Sequence, residues 1–226
     1  MYKIEVLDNC QSYKFIQLTY LIKNFAINVF MVQKFNLIND SNAKKEKYID
    51  NYTDYLSDIE IQTLKKDIQA RIDFATNSIK SKNKDKQTRY YILMDEDKVI
   101  AFQTAQVRKE NNRIEGWRNF AYTENDYKGK SGEVLYTSGK VKIGILSNLI
   151  YENITEWFTE ENVEIEKTAT GKNMLKNIKI YILKKKFIPE SIDNTRVYLI
   201  KDYKDIKQKS ELKHIYEKYI SEFGII

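Results

Sequence analysis

Hydrophobic and polar positions follow two periods along this chain, and the switches between them predict its elements. Tyr2–Leu7 alternates well enough to form a first strand. Residues 11–35 carry Phe15, Leu18, Leu21, Ile22, Phe25, Val29 and Phe30 at helical spacing. A polar break at Asn39, Asp40, Ser41 and Asn42 supplies an N-cap to a second helical region that runs to about residue 80. Its face is Tyr48, Tyr52, Tyr55, Leu56, Ile59, Leu64, Ile68, Ile72 and Ile79, read as core rather than as a ligand stack. The run 81–87 (SKNKDKQ) is a polar connection.

From residue 89 short apolar runs replace the helical stripes. Residues 89–94 (RYYILM) and 99–107 (VIAFQTAQV) read as strands joined by the acidic turn Asp95, Glu96, Asp97, Lys98. A third apolar run covers 114–122. After polar loops, a helical run from about 141 to 160 buries Ile145, Leu146, Leu149, Ile150, Ile154, Trp157 and Phe158. Then come the strand-like Val163–Ile165, the segment Thr168–Asn173, another helix, Lys186–Phe187 and a last strand, Val197–Lys201. The C-terminal segment 204–222 has a helical stripe through Ile206, Leu212, Ile215, Tyr219 and Ile220. No internal repeat interrupts this order.

Composition narrows the chemistry. With one proline and seven glycines in 226 residues, no flexible linker marks a boundary, and one domain over 1–226 is expected. It would comprise an N-terminal part (1–88), a central core (89–203) and a C-terminal helix (204–226). The net charge of +6 leaves nucleic acid open as a partner, but 32 acids interleave with 38 bases, so a solvated basic surface is the simpler reading. The dense basic run Lys184–Lys186 falls at a helix end, where cations complement the dipole. A single cysteine, Cys10, excludes an internal disulfide and any cysteine-based metal cluster. No apolar run of membrane-spanning length and no signal-peptide pattern is read, so a cytoplasmic protein without a membrane partner is expected. The one histidine, His214, reads as a surface-helix residue. That excludes Ser-His-Asp and Cys-His machinery and histidine-rich zinc sites, and no metal is expected. Carboxylates, tyrosines and lysines remain for acid–base work.

The element order from Arg89 to Tyr203 resembles the GNAT superfamily of N-acetyltransferases, over about half the chain and more in layout than in residue identity. The resemblance implies a mixed α/β fold: a central, largely antiparallel sheet flanked by helices, here with enlarged N-terminal helices and an extra C-terminal helix. It also implies acetyl-CoA as co-substrate and direct attack by a primary amine of a small molecule or peptide.

A pyrophosphate is held well by a helix N-terminus. GNAT proteins use a glycine-containing loop between the fourth strand and the next helix, patterned Gln/Arg-x-x-Gly-x-Gly/Ala. Two segments are candidates: Tyr127–Gly132 (YKGKSG) and Ser138–Gly144 (SGKVKIG). The second is preferred on spacing, because a helix begun at Gly132 would enclose Gly139 at a cost of ~1 kcal/mol. Glu133–Thr137 is then the entering strand. The resulting cofactor set is Tyr136, Thr137, Ser138, Gly139, Lys140, Val141, Lys142, Ile143 and Gly144, with Asn173 from the segment after the next strand. The alternative is that these glycines only serve turns. A nucleotide P-loop fails because its first glycine would fall at Glu124.

In the same resemblance a helix begun by Asn carries a tyrosine and ends in Gly-Phe. Asn173 or Asn177, Tyr181 and Phe187 match, with Lys186 at the glycine position. Tyr181 is thereby the candidate acid that protonates the departing thiolate. Glu115, Glu124 and Glu133 are candidate bases, Glu133 lying nearest the expected splayed strand end and Glu124 retained beside it. Backbone N–H groups around Tyr136–Thr137 would polarise the thioester carbonyl. Helices within 11–80 would line the acceptor side, with Asp50, Asp54 and Asp58 facing a cationic amine or merely solvated. Two rival readings remain. One is a catalytically degenerate GNAT-like protein that binds nucleic acid or a protein partner, and the other is an unrelated α+β interaction module.

Overall fold

In the computed structural model, residues 1–37, 42–81, 83, 86–110, 112–172 and 174–223 are described. Of the expected N-cap run Asn39–Asn42 the first three residues lie outside them, as does the candidate Asn173. The described residues form nine strands: β1 (Tyr2–Val6), β2 (Lys86–Asp95), β3 (Lys98–Glu110), β4 (Arg113–Thr123), β5 (Ser131–Leu135), β6 (Val141–Ile145), β7 (Ile165–Gly171), β8 (Ile188–Ile192) and β9 (Arg196–Asp202). They are ordered β6-β5-β1-β2-β3-β4-β7-β9-β8. β1 pairs β2 antiparallel, as β5 pairs β6 and β9 pairs both β7 and β8; β5 joins β1, and β7 joins β4, in parallel. The sheet is mixed and largely antiparallel, as expected.

The helices are α1 (Tyr13–Lys34), α2 (Asn42–Asp50), α3 (Asp58–Lys80), α4 (Leu146–Glu160), α5 (Leu175–Lys179) and α6 (Lys209–Phe223), with a 3-10 turn at Tyr52–Tyr55. The second helical region is therefore two helices. The break falls at Ser57, which caps α3 by accepting from the Glu60 N–H while Glu60 returns to the Ser57 N–H. Hydrogen bonds from Lys34 and from the Ser57 N–H hold the Glu60 carboxyl down at about 2.

Two compact units divide the chain. The first is formed by 1–82, 88–104 and 120–154, the second by 83–87, 105–119 and 155–226. In the first, α1 and α3 bury Phe15, Leu18, Leu21, Ile22 and Ala75 with Tyr90, Ile92, Met94, Val99 and Phe102 of the strands. A second cluster joins Ala26, Ile27 and Met31 to Leu56 and Leu64. Tyr48, Tyr52 and Tyr55 pack on it, and Phe35 stacks on Tyr48 at 4.8 Å, so the aromatics of 48–55 are core as read. By length and composition α1 could cross a membrane, with a mean hydropathy of 1.4 over 18 residues, although Lys14, Gln17, Lys23, Asn24 and Asn28 interrupt its apolar positions. Here its apolar face is spent on these two clusters.

In the second unit, Trp157, Phe158, Ile165, Phe187, Val197, Leu199, Leu212 and Tyr219 are buried. Asn162 takes the left-handed conformation (φ 56°) after α4, and the Val163 N–H reaches back to Phe158 O at 2.9 Å, which stops the helix. Lys186, at the position where the resembled family has glycine, is also left-handed (φ 64°).

Three expectations are corrected. Residues 141–145 are strand β6 rather than the start of a helix. Val141, Ile143 and Ile145 alternate with Lys142 and Gly144, and the helical stripe begins only at Leu146. β7 starts at Ile165, where the expected strand ends, and takes in Thr168–Gly171. β8 escaped notice because Pro189 sits in it; an outer strand with an irregularity between Pro189 and Ser191 tolerates that residue.

Gly116 in β4 lies under the Phe158 ring. A Cβ there would stand 2.8 Å from Phe158 Cε2, whereas one at Gly144 would meet Leu149 Cδ2 at an ordinary 3.5 Å. Gly116→Ala is therefore expected to cost about 1–3 kcal/mol by urea denaturation, and Gly144→Ala close to nothing.

Candidate functional site

Within the first unit, the end of β4 and the β2–β3 turn form the most chemically loaded region. Glu96 takes φ 52°, which turns the chain sharply from β2 into β3. α1 is fastened to this turn by Gln17, whose amide donates to Asp97 O at 3.0 Å and accepts from the Val99 N–H at 2.6 Å. Where β4 ends, the Glu124 N–H bonds Ile100 O at 2.9 Å. An open cavity of about 680 Å³ results, lined by Ile16, Gln17 and Tyr20 of α1, by residues 95–99 and by Glu124. Asp95, Glu96, Asp97 and Glu124 bring four carboxylates to this lining against one cation, Lys98.

The Glu124 carboxylate pairs with Lys98, whose side chain is 54 % exposed. Solvent screening makes such a pair weak, about 0–1 kcal/mol, so an incoming ammonium can replace it. Neighbouring phenols are poor bases. Burial, then the charge of Glu124, pushes Tyr122 up to about 12, and a 2.7 Å hydrogen bond to Asp95 holds Tyr127 at about 12. Burial pulls Lys128 down. Glu124 is thus the sequence candidate that the structure brings to a cavity.

The other base candidates fall elsewhere. Glu133 is exposed on β5, opposite Ile143. Its strand is hydrogen-bonded to β1 on one side and β6 on the other, so the splayed strand end that recommended Glu133 is absent there. Glu115 pairs with Lys167 at 3.0 Å and accepts from the Trp117 indole at 3.1 Å.

The segment 138–144 is a hairpin. Its turn is closed by the Tyr136 N–H on Lys140 O at 2.8 Å, with Gly139 left-handed at φ 77°. The Tyr136 N–H is therefore spent and does not serve an oxyanion. Tyr136 is buried with its hydroxyl 3.4 Å from Glu152, and the exposed Thr137 donates to Asn153 Oδ1 at 3.1 Å. Both lie along the side of α4. Ser138 and Lys140 are exposed at the turn, while Val141, Lys142, Ile143 and Gly144 belong to β6, with Gly144 opposite Gly132. Lys142 lies 3.6 Å from Glu152. Of this set, only Gly144 adjoins the start of α4, separated from it by Ile145.

That start still suits an anion. The first turn of α4 contains no acidic residue, the Leu146 N–H is bonded to Lys130 O at 3.0 Å, and Ser147 is exposed.

In the second unit, Tyr181 is half-buried in a π-helical turn (Ile180–Lys184) that continues α5. Its ring meets Phe187 edge-on at 5.5 Å, and its carbonyl accepts from the Phe187 N–H at 3.0 Å. The hydroxyl makes no hydrogen bond among the described residues. Asn177 turns its amide to Met174 Sδ at 3.8 Å. His214 is exposed on α6, and Asp50, Asp54 and Asp58 are exposed too. No group of three metal-ligating side chains occurs among the described residues.

A buried charge cluster went unnoticed in the sequence. Arg118 on β4 and Glu166 on β7, both without exposed side-chain surface, form an ion pair. Arg118 also donates to Thr155 Oγ1 at 2.7 Å and stacks over Phe158 at 5.1 Å. Glu166 further accepts from Tyr203 at 2.6 Å and faces Lys201 at 3.5 Å. Burial pushes the Glu166 carboxyl up, but Arg118 and Lys201 outweigh it and hold the group below the usual carboxylate range. Neither charge stands out in the sequence, because β4 also carries Arg113 and Glu115 and β7 also carries Lys167.

The comparisons come down to fold. No family profile and no curated protein matches the sequence. Among solved structures, a PaiA N-acetyltransferase from Thermoplasma acidophilum in complex with coenzyme A is similar at TM-score 0.52 and 11 % identity, over 88 % of this chain and 99 % of that one. A probable acetyltransferase from Staphylococcus epidermidis gives 0.50 and 12 %, over 90 % and 99 %. The NatC complex bound to Gag peptide and CoA gives 0.50 and 12 %, over 89 % and 98 %. The chain has the GNAT fold, in a divergent form.

Because Glu166 is held below its ordinary 4.5, it stabilises the folded state above that pH, and the contribution is lost as pH falls through the depressed value. Glu166→Gln leaves Arg118 buried without its counter-charge and is expected to cost about 3–5 kcal/mol at neutral pH. Denaturation between neutral and acid pH checks both parts: the variant loses stability at pH 7 and shows a flatter acid slope.

Proposed function

We propose that the protein is an acetyl-CoA-dependent N-acetyltransferase whose acceptor is a cationic primary amine, free or on a peptide. The acid-lined cavity beside Glu124 carries this reading. Its carboxylates would attract an ammonium substrate, and Glu124, which lines it, is the base of this reading, taking the proton that must leave before nitrogen can attack. Acetyl-CoA supplies an activated acetyl thioester. The GNAT fold supports that choice, as does the coenzyme A bound in two structural neighbours.

The chain's own residues divide the work. The N-terminal turn of α4, free of acids and preceded by Lys130 and Lys142, offers backbone N–H groups and dipole to a pyrophosphate. Glu124 accepts the amine proton. Nitrogen bonds to the carbonyl carbon, the C–S bond breaks, and the second proton that nitrogen sheds balances the one the leaving thiolate takes up.

Calorimetry with acetyl-CoA tests the cofactor half. Binding is expected, weakened at least about tenfold in Ser147→Glu, where a new carboxylate competes for the helix N-terminus without unfolding it. An absence of binding at millimolar ligand sinks the enzyme reading and favours the degenerate binding protein. Steady-state kinetics test the base. Glu124→Gln is expected to lower kcat/KM on the order of 100-fold or more while leaving acetyl-CoA affinity intact; an unchanged rate removes Glu124 from the reaction.

A further inference from the structure

The β5–β6 hairpin leaves one feature that acetyl transfer does not use. β6 ends the strand order, so among the described residues it is paired on one side, by β5. On it Val141, Ile143 and Ile145 are 47 %, 79 % and 51 % exposed, a continuous apolar stripe on one face of a five-residue strand. Outer strands are ordinarily blunted by proline, a bulge or an outward charge. β6 has no proline, an unbroken register with β5, and its one charge, Lys142, falls on the opposite face from the stripe.

The hydrogen-bond phase shows where the backbone points. Tyr136 N–H bonds Lys140 O at one end of the hairpin and Leu146 N–H bonds Lys130 O at the other. Groups in an antiparallel ladder alternate, so Lys142 and Gly144 turn theirs toward β5. Val141, Ile143 and Ile145 direct theirs outward, so among the described residues the N–H and C=O groups left without a strand partner belong to the residues with exposed apolar side chains.

We propose that β6 is a self-association edge, which pairs antiparallel with β6 of a second copy of this chain about a two-fold axis at Ile143. Ile143 then faces its own counterpart, and Val141 faces Ile145 of the second copy at both ends. All three pairs fall at hydrogen-bonded positions, about six bonds in all, and all six Val and Ile side chains meet on one face. Lys142 lies opposite Gly144 of the second copy, so no like charges oppose each other directly. A slip by one residue breaks the hydrogen-bond phase and sets outward groups against inward ones. The self-complementarity of this register is what commits the edge to a second copy rather than to an unrelated strand. The interface is closed by its two-fold axis, so it yields a dimer and not a fibre.

Sedimentation equilibrium at about 100 μM, well above a micromolar Kd, tests this. The wild type is expected at twice the 26.9 kDa chain mass, and Ile143→Lys, which puts two ammonium groups opposite each other at an exposed position, at the monomer mass with unchanged circular dichroism. Register is read independently in a Cys10→Ser background. Ile143→Cys is expected to form an intermolecular disulfide under mild oxidation, because hydrogen-bonded partners sit about 5.5 Å apart at Cα. Ile145→Cys, which faces residue 141, is not. A monomeric wild type, a dimer that survives Ile143→Lys, or equal cross-linking at both cysteines overturns the proposal. If Ile143→Lys fails to fold, the cysteine pair decides.

Discussion

Burying Arg118 with Glu166 is the interaction on which the second unit most depends. Neither side chain has exposed surface, and removing two ions from water costs several kcal/mol each before their attraction offsets it. The offset needs every remaining valence filled. Thr155, Tyr203, Lys201 and the face of Phe158 fill them. The cluster sits on a short parallel ladder, in which β4 and β7 pair only from Glu115–Ile165 to Arg118–Thr168. Parallel pairs gain slightly less per residue than antiparallel ones, so a charge clamp at the ladder's end matters more than it would in a long hairpin. Gly116, two residues before Arg118, leaves room for Phe158 to close over the guanidinium.

The first unit solves a different problem: keeping an acidic, open cavity next to a densely apolar core. Gln17 does this with two hydrogen bonds from one amide to the β2–β3 turn, which fix α1 against the strands while the turn's carboxylates stay at the surface. Tyr127 spends its hydroxyl on Asp95 and presents its ring to Lys98 and Lys130. Lysines thus flank the acids without neutralising the lining.

Most elements were legible from period or from run length. α1 holds the helical period over 22 residues, whereas β2 and β3 are continuous apolar runs, buried on both faces and separated by an acidic turn. The hairpin at 131–145 was half legible. Glu133–Leu135 reads as strand, but Val141, Ile143 and Ile145 lead straight into the stripe of α4, and period two shades into period 3.6 with no proline or polar break between. That one misreading displaced the expected phosphate loop onto a hairpin turn and promoted Glu133. Glu124 was legible as a candidate but could not be ranked, since the cavity depends on α1 and the β2–β3 turn meeting the end of β4, contacts separated by up to about a hundred residues. The Arg118–Glu166 pair was invisible for the same reason. Each charge alone looks like a surface residue, and only parallel pairing makes them partners.

The most direct measurement is release of free thiol from acetyl-CoA across a series of primary amines that differ in their number of positive charges. Turnover should require a primary amine, rise in kcat/KM with acceptor charge, and weaken as added salt screens the cavity's carboxylates. Thiol release that is indifferent to the amine, or absent with every member of the series, contradicts the assignment of this cavity as an acceptor site.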